Sequence, residues 1–191
     1  MGVLIKSIYA GIMIGLGGTV YLSVENKVVG AVLFSFGLLT IVNQKFYLYT
    51  GKVGYENNLL KLLHIAVGNA IGTLIIAILI RNSNKELIEN AEILWNNKLN
   101  YDVCKMVISS MLCGVMMYLA VDNYRRNNNL LFIIFPVVIF ILSGFEHSIA
   151  NMYYMFLSGI VNTQSILFIC ICLACNGLGA KCFHLIKEVI E

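Results

Sequence analysis

The sequence predicts an all-α integral membrane protein of six transmembrane helices, arranged as two inverted three-helix repeats in which helices 2 and 5 are broken. Three observations carry that class. The chain of 191 residues is 59% hydrophobic and 12% charged, with a mean hydropathy of +0.83, whereas a soluble domain is about a quarter charged. Apolar runs close to the roughly 20 residues that cross a bilayer recur along its length. Two of those runs stop at polar residues in matching places.

Taken in order, residues 3–22 form the first run, and their Gly11, Gly15, Gly17 and Gly18 admit a close neighbouring helix. Lys6 lies inside it and no small-residue cleavage site follows, so it reads as a retained span rather than a leader. Residues 28–42 make a second, shorter run that breaks at Asn43-Gln44-Lys45. Residues 46–52 then read as a non-helical continuation, with a short helix after it. Residues 59–80 are a clean third span carrying Gly68-Asn69-Ala70-Ile71-Gly72.

Residues 81–100 are the longest polar stretch. Leu87, Ile88, Ala91, Ile93 and Leu94 fit an amphipathic helix lying on the membrane surface. Residues 103–121 are the fourth span. The fifth, residues 130–145, holds the sole proline, Pro136, and ends in the polar stretch from Gly144 to Met152. Residues 165–187 are the sixth and carry Asn176-x-x-Gly179. No Pro- or Ser-rich linker divides the chain. It reads as one transmembrane domain over residues 1–191, with repeats at roughly 1–80 and 101–187 joined by the polar linker 81–100.

Paired interruptions in two halves point to a central site at their junction. Non-helical backbone at membrane depth survives only where it is buried in protein or lines a cavity. The breaks around Thr50 and His147 therefore meet near the midplane. Glu146, His147 and Asn151 are costly at that depth and mark a pathway. A buried imidazole is neutral unless an anion arrives, and it can donate one hydrogen bond and accept another, with Thr50 as a hydroxyl partner. The pair suits holding or protonating a small anion. Phe34 and Leu38, one turn apart, with Leu48 and Phe140 beside the breaks, are candidates to pinch the path.

The net charge of +3 is scattered, so nucleic acid is not implied. Cys172 and Cys175 form a C-x-x-C inside a span with no second pair, so no metal or cofactor is expected. No serine–histidine elbow, metal triad or phosphate loop suggests an enzyme. Lys6, Lys52, Lys61, Arg125, Arg126, Lys181 and Lys187 fall on one side, and Lys27, Arg81, Lys85, Lys98 and Lys105 on the other. Lys45 is left uncounted in the break. Seven against five favours cytoplasmic termini.

The stretch Ser143-Gly144-Phe145-Glu146-His147-Ser148-Ile149-Ala150-Asn151-Met152-Tyr153 resembles, nearly letter for letter, the signature of the formate/nitrite transporter family. Leu48-Tyr49-Thr50-Gly51 is similar to that family's L-F-T-G loop, Phe34-Ser35-Phe36-Gly37-Leu38 to its F-S-L-G-L, and Gly68-Asn69-x-x-Gly72 to its G-N-x-x-G. The resemblance implies an aquaporin-like outline, a homopentamer in a bacterial-type inner membrane, and one pore per protomer for small weak-acid anions: formate, nitrite or hydrosulfide. It implies His147 and Thr50 as the central pair, Phe34, Leu38, Leu48 and Phe140 as constrictions, and Lys98 as an anion attractor in the outer vestibule. Gly114 stands where the family carries an asparagine, and with Met117 it would widen the pore. The competing expectation is a non-transporting sensor or scaffold that kept the fold. A continuous cavity at His147 favours transport; a plugged one favours the scaffold.

Overall fold

The computed structural model describes residues 2–191, and these form nine helices. They are α1 (Gly2–Ser23), α2 (Lys27–Asn43), α3 (Tyr49–Lys52), α4 (Leu59–Arg81), α5 (Lys85–Leu99), α6 (Val103–Asn127), α7 (Leu131–Leu142), α8 (Ser148–Ser158) and α9 (Thr163–Ile190). Among the described residues, α1, α4, α6 and α9 are each long and apolar enough to cross a bilayer; at 1.5 Å per residue their 22 to 28 residues exceed its ~30 Å core. Their outward faces carry apolar side chains such as Leu60, Leu79 and Leu167, which water would reject and lipid accepts. The chain is a multi-pass membrane protein.

Two close helix pairs form the frame: α1 against α4, and α6 against α9. Small residues set the spacing. A Cβ on Gly11 would collide with the main-chain carbonyl of Asn69 on α4, and one on Gly114 with that of Asn176 on α9. Gly114 therefore widens nothing; it is the crossing point of α6 and α9, and neither it nor Met117 lines a cavity. Gly114→Ala is expected to destabilise the fold by roughly 1–3 kcal/mol through overpacking, read as a lower unfolding temperature in detergent.

The two shorter apolar helices, α2 and α7, lie against each other, α2 also packing on α1 and α7 on α6. Both stop in the same way. Lys45 (φ 56°) and Gly144 (φ 68°) turn left-handed, and the N–H two residues beyond each cap reaches back into the last turn. Phe46 N–H donates to Ile41 O at 2.9 Å and Phe145 N–H to Phe140 O at 2.9 Å. Lys45 N–H to Val42 O (3.2 Å) and Gly144 N–H to Ile141 O (3.1 Å) complete two Schellman turns. After a few extended residues the chain resumes helix in α3 and α8. The breaks are thus shorter than the sequence reading had them. Tyr49–Lys52 is already helical, and Asn151 lies within α8.

The polar linker folds as α5, but its apolar stripe is Leu87, Ala91 and Trp95, one turn apart, packed on the bundle rather than facing lipid. Trp95 Nε1 donates to Ser165 Oγ at 3.1 Å and its ring meets Phe168 edge-on. Ile93, expected in the stripe, points outward and is exposed. The surface-helix expectation missed Trp95, which continues the four-residue spacing into the core.

Candidate functional site

The resumed helices α3 and α8 begin beside each other, with Leu48 and His147 as their N-caps. Two asparagines hold the extended backbone before them. Asn69 Nδ2 donates to Ser7 O (2.7 Å) and Tyr47 O (2.8 Å), while its Oδ1 accepts from Tyr49 N–H (2.8 Å). Asn176 does the same in the other half, to Ser110 O (2.7 Å), Glu146 O (2.8 Å) and from Ser148 N–H (2.9 Å). Six main-chain groups that lipid cannot satisfy are paired by two side chains. The sequence reading noticed both asparagines and their glycines but gave them no task. It also matched Thr50 with His147, whereas the register of these bonds matches Leu48 with His147.

His147 is pinned at both ring nitrogens. Its Nδ1 accepts the Ala150 N–H at 3.1 Å, a side-chain cap on α8, and its Nε2 lies 2.9 Å from Thr50 Oγ1. Because Nδ1 is an acceptor, the neutral ring carries its proton on Nε2 and presents it to the Thr50 oxygen. The threonine hydrogen is left for another acceptor. Phe140 stacks on the imidazole (centroids 5.6 Å apart), and Phe34 meets Phe140 edge-on. His147 and Thr50 are buried.

Next to this pair sits a buried ion pair. Lys98 Nζ reaches the two carboxylate oxygens of Glu146 at 2.7 and 2.6 Å, and Asn151 Nδ2 donates to Oε2 at 2.7 Å. Lys98, expected as an anion attractor in the outer vestibule, bounds the same cavity as His147, and its charge is closed onto Glu146, which is fully buried.

Two cavities approach this floor from opposite ends. One of about 210 Å³ is bounded by Phe34, Phe140, His147, Lys98, Glu146 and Asn151, together with tyrosines that the sequence reading did not single out, Tyr21, Tyr101 and Tyr154. The other, about 440 Å³, is bounded by Leu38, Leu48 and Gly51 at its floor and by Lys6, Lys45, Lys52 and Arg125. No residue belongs to both walls. The four candidate constriction residues divide accordingly: Phe34 and Phe140 bound one cavity, Leu38 and Leu48 the other, and all are buried. The two cavities are separate in this conformation. Lys45, set aside as lying in the membrane break, stands at the same cavity as Lys6, Lys52 and Arg125 and belongs to their side. Among the described residues no three His, Cys, Asp or Glu side chains are grouped to hold a metal.

Residues 1–184 match the profile of the formate/nitrite transporter family. Among curated relatives, the formate channel FocA of Escherichia coli (strain K12) is 27% identical over 150 residues, covering 66% of this chain and 52% of that protein. The formate channel FocB of the same organism is 25% identical over 185 residues, covering 80% and 65%. The chain spans about half the length of the FocA protein it matches. Among solved structures, a pentameric formate channel with formate bound superposes with a TM-score of 0.84 at 20% identity, over 99% of this chain and 96% of that one. An ion channel described as of the FNT family gives 0.88 at 20% identity, over 99% and 89%. At that identity the structures speak for the fold, which is all-helical and like theirs. With the family profile matching nearly end to end, this chain belongs to the formate/nitrite transporter family.

Proposed function

We propose that the protein is a channel or facilitator for small monovalent weak-acid anions (formate, nitrite or hydrosulfide), with His147 and Thr50 as the donor pair at its narrowest point. The observation that carries this reading is that pair, buried and hydrogen-bonded at 2.9 Å, with His147 in the wall of one of two separate cavities. A bare anion entering an apolar constriction loses hydration at a cost of several kcal/mol. Phe34, Leu38, Leu48 and Phe140 make such a constriction, and the neutral acid crosses it at far lower cost. The Thr50 hydroxyl hydrogen guides the arriving oxygen or sulfur.

Proton donation by His147 has a geometric condition. In the neutral ring the Nε2 proton is the sole one, and losing it would leave an imidazolate. Donation therefore runs through a ring protonated at Nδ1, which releases the Ala150 N–H from its cap. The mirrored asparagine bonds and Schellman turns support two inverted repeats. The homopentamer is inferred from the likeness to a channel described as pentameric. Lys45 joins the cationic side and strengthens the case for cytoplasmic termini in a bacterial-type inner membrane.

The test is proteoliposome flux of formate, nitrite and hydrosulfide for the wild type and His147→Ala. One anion should pass quickly, faster as pH falls, and the variant should be slower on the order of a hundredfold, the scale of a positioned proton donor. An acid response that survives unchanged in His147→Ala would leave His147 a guide and remove it as donor. The separation of the two cavities favours a second reading, a non-transporting scaffold. Absence of flux for every anion would select it.

A further inference from the structure

The two cavities differ sharply in charge. The cavity beside His147 has one cation, Lys98, and that is neutralised by Glu146. The larger cavity has Lys6, Lys45, Lys52 and Arg125 in its wall and no carboxylate. The nearby acids are engaged elsewhere: Glu56 with Lys61 at 2.5 Å, and Asp122 with Lys187 and Arg126. None of the four wall cations has an ion-pair partner among the described residues. Aromatic rings hold three of them instead, Lys6 and Lys52 over Tyr47 (5.5 and 4.8 Å) and Arg125 over Tyr55 (4.6 Å).

Lys45 adds an independent observation. It occupies the left-handed position that glycine fills in the matching turn at Gly144. A side chain there strains the backbone, and glycine would relieve it. The strained position nonetheless brings a fourth positive charge to the cavity wall. At about 440 Å³ the cavity holds roughly fifteen water volumes and falls in the range of small-molecule pockets. It is far larger than a three-atom anion needs.

We infer that this cavity binds an oligovalent phosphate-type anion, such as a di- or triphosphate group, which seats across the four cations and closes the pathway from the Lys52 end. A guanidinium and several ammonium groups converging without carboxylates match phosphate oxygens carrying several charges. The closing half of the inference rests on the transport reading above; the binding half does not.

Inorganic tripolyphosphate is the probe. Titrated calorimetrically into the purified full chain in detergent, it should bind saturably at one per chain. Lys45→Gly combined with Arg125→Gln should weaken binding by at least about tenfold, and Lys45→Gly alone should bind more weakly while melting no lower than wild type. In vesicles, tripolyphosphate should inhibit flux from one face only. Equal effects from sodium chloride at matched ionic strength would reduce the cluster to simple screening and overturn the inference. Tighter binding of citrate would overturn the phosphate assignment. A wild type that binds tripolyphosphate but moves no anion would refute transport and leave the site standing.

Discussion

Replacing Lys98 with Met is expected to destabilise the folded chain by roughly 3–5 kcal/mol, the usual cost of stranding one partner of a buried ion pair. Glu146 is fully buried, and after the change Asn151 is its one remaining side-chain donor. The main-chain carbonyl of the same residue is held by Asn176, so the backbone does not carry the carboxylate toward water. Adding Glu146→Gln should recover most of the loss, since a neutral amide still accepts from Asn151. Equilibrium unfolding in mixed micelles, run as a double-mutant cycle, measures both. A Lys98→Met protein as stable as wild type would mean that the pair is water-screened and that the buried geometry is irrelevant to stability.

The second large effect belongs to Asn176→Leu. The substitution keeps the branched shape and heavy-atom count but removes both donors and the acceptor that bond Ser110 O, Glu146 O and Ser148 N–H. Ser148 N–H, the first of α8, is left unpaired at about 1–3 kcal/mol, whereas Ser110 O lies inside α6 and Glu146 O still accepts from Cys172 Sγ at 3.2 Å. A loss of roughly 1–3 kcal/mol should appear as a lower unfolding temperature in detergent. Asn176→Asp tests the cause: in its neutral form it keeps the acceptor toward Ser148 and one O–H donor, so it should fall between wild type and leucine. Equal loss in both variants would point to packing rather than hydrogen bonding.

Much of this was legible before any coordinates. Composition alone dictated lipid-facing helices, because residues such as Leu60 and Leu167 have no other tolerable environment. The polar letters around Thr50 and His147 betrayed the breaks, since helix at membrane depth does not otherwise stop. What stayed hidden was where each break begins and ends. A Schellman turn leaves a sequence mark when glycine fills it, as at Gly144, and none when a lysine does, as at Lys45. The task of Asn69 and Asn176 was hidden too, because a side chain that pairs with backbone distant in sequence has no local periodicity. Gly114 misled for the opposite reason. A missing side chain looks like space in a sequence, yet in the fold that space is filled by the carbonyl of Asn176.

The glycine crossings and the asparagine braces also bear on how fast anything could pass. Within each half, sliding α1 on α4 or α6 on α9 would have to pull Gly11 or Gly114 away from the carbonyl it touches and break three buried hydrogen bonds. Turning Phe34, Leu38, Leu48 or Phe140 about χ1 breaks none. Rotamer changes of this kind occur over picoseconds to nanoseconds when a side chain has room, while collective motions of whole helices take microseconds to milliseconds. Under the transport reading proposed above, a gate of side-chain tips on two internally braced halves opens without any helix sliding inside either half.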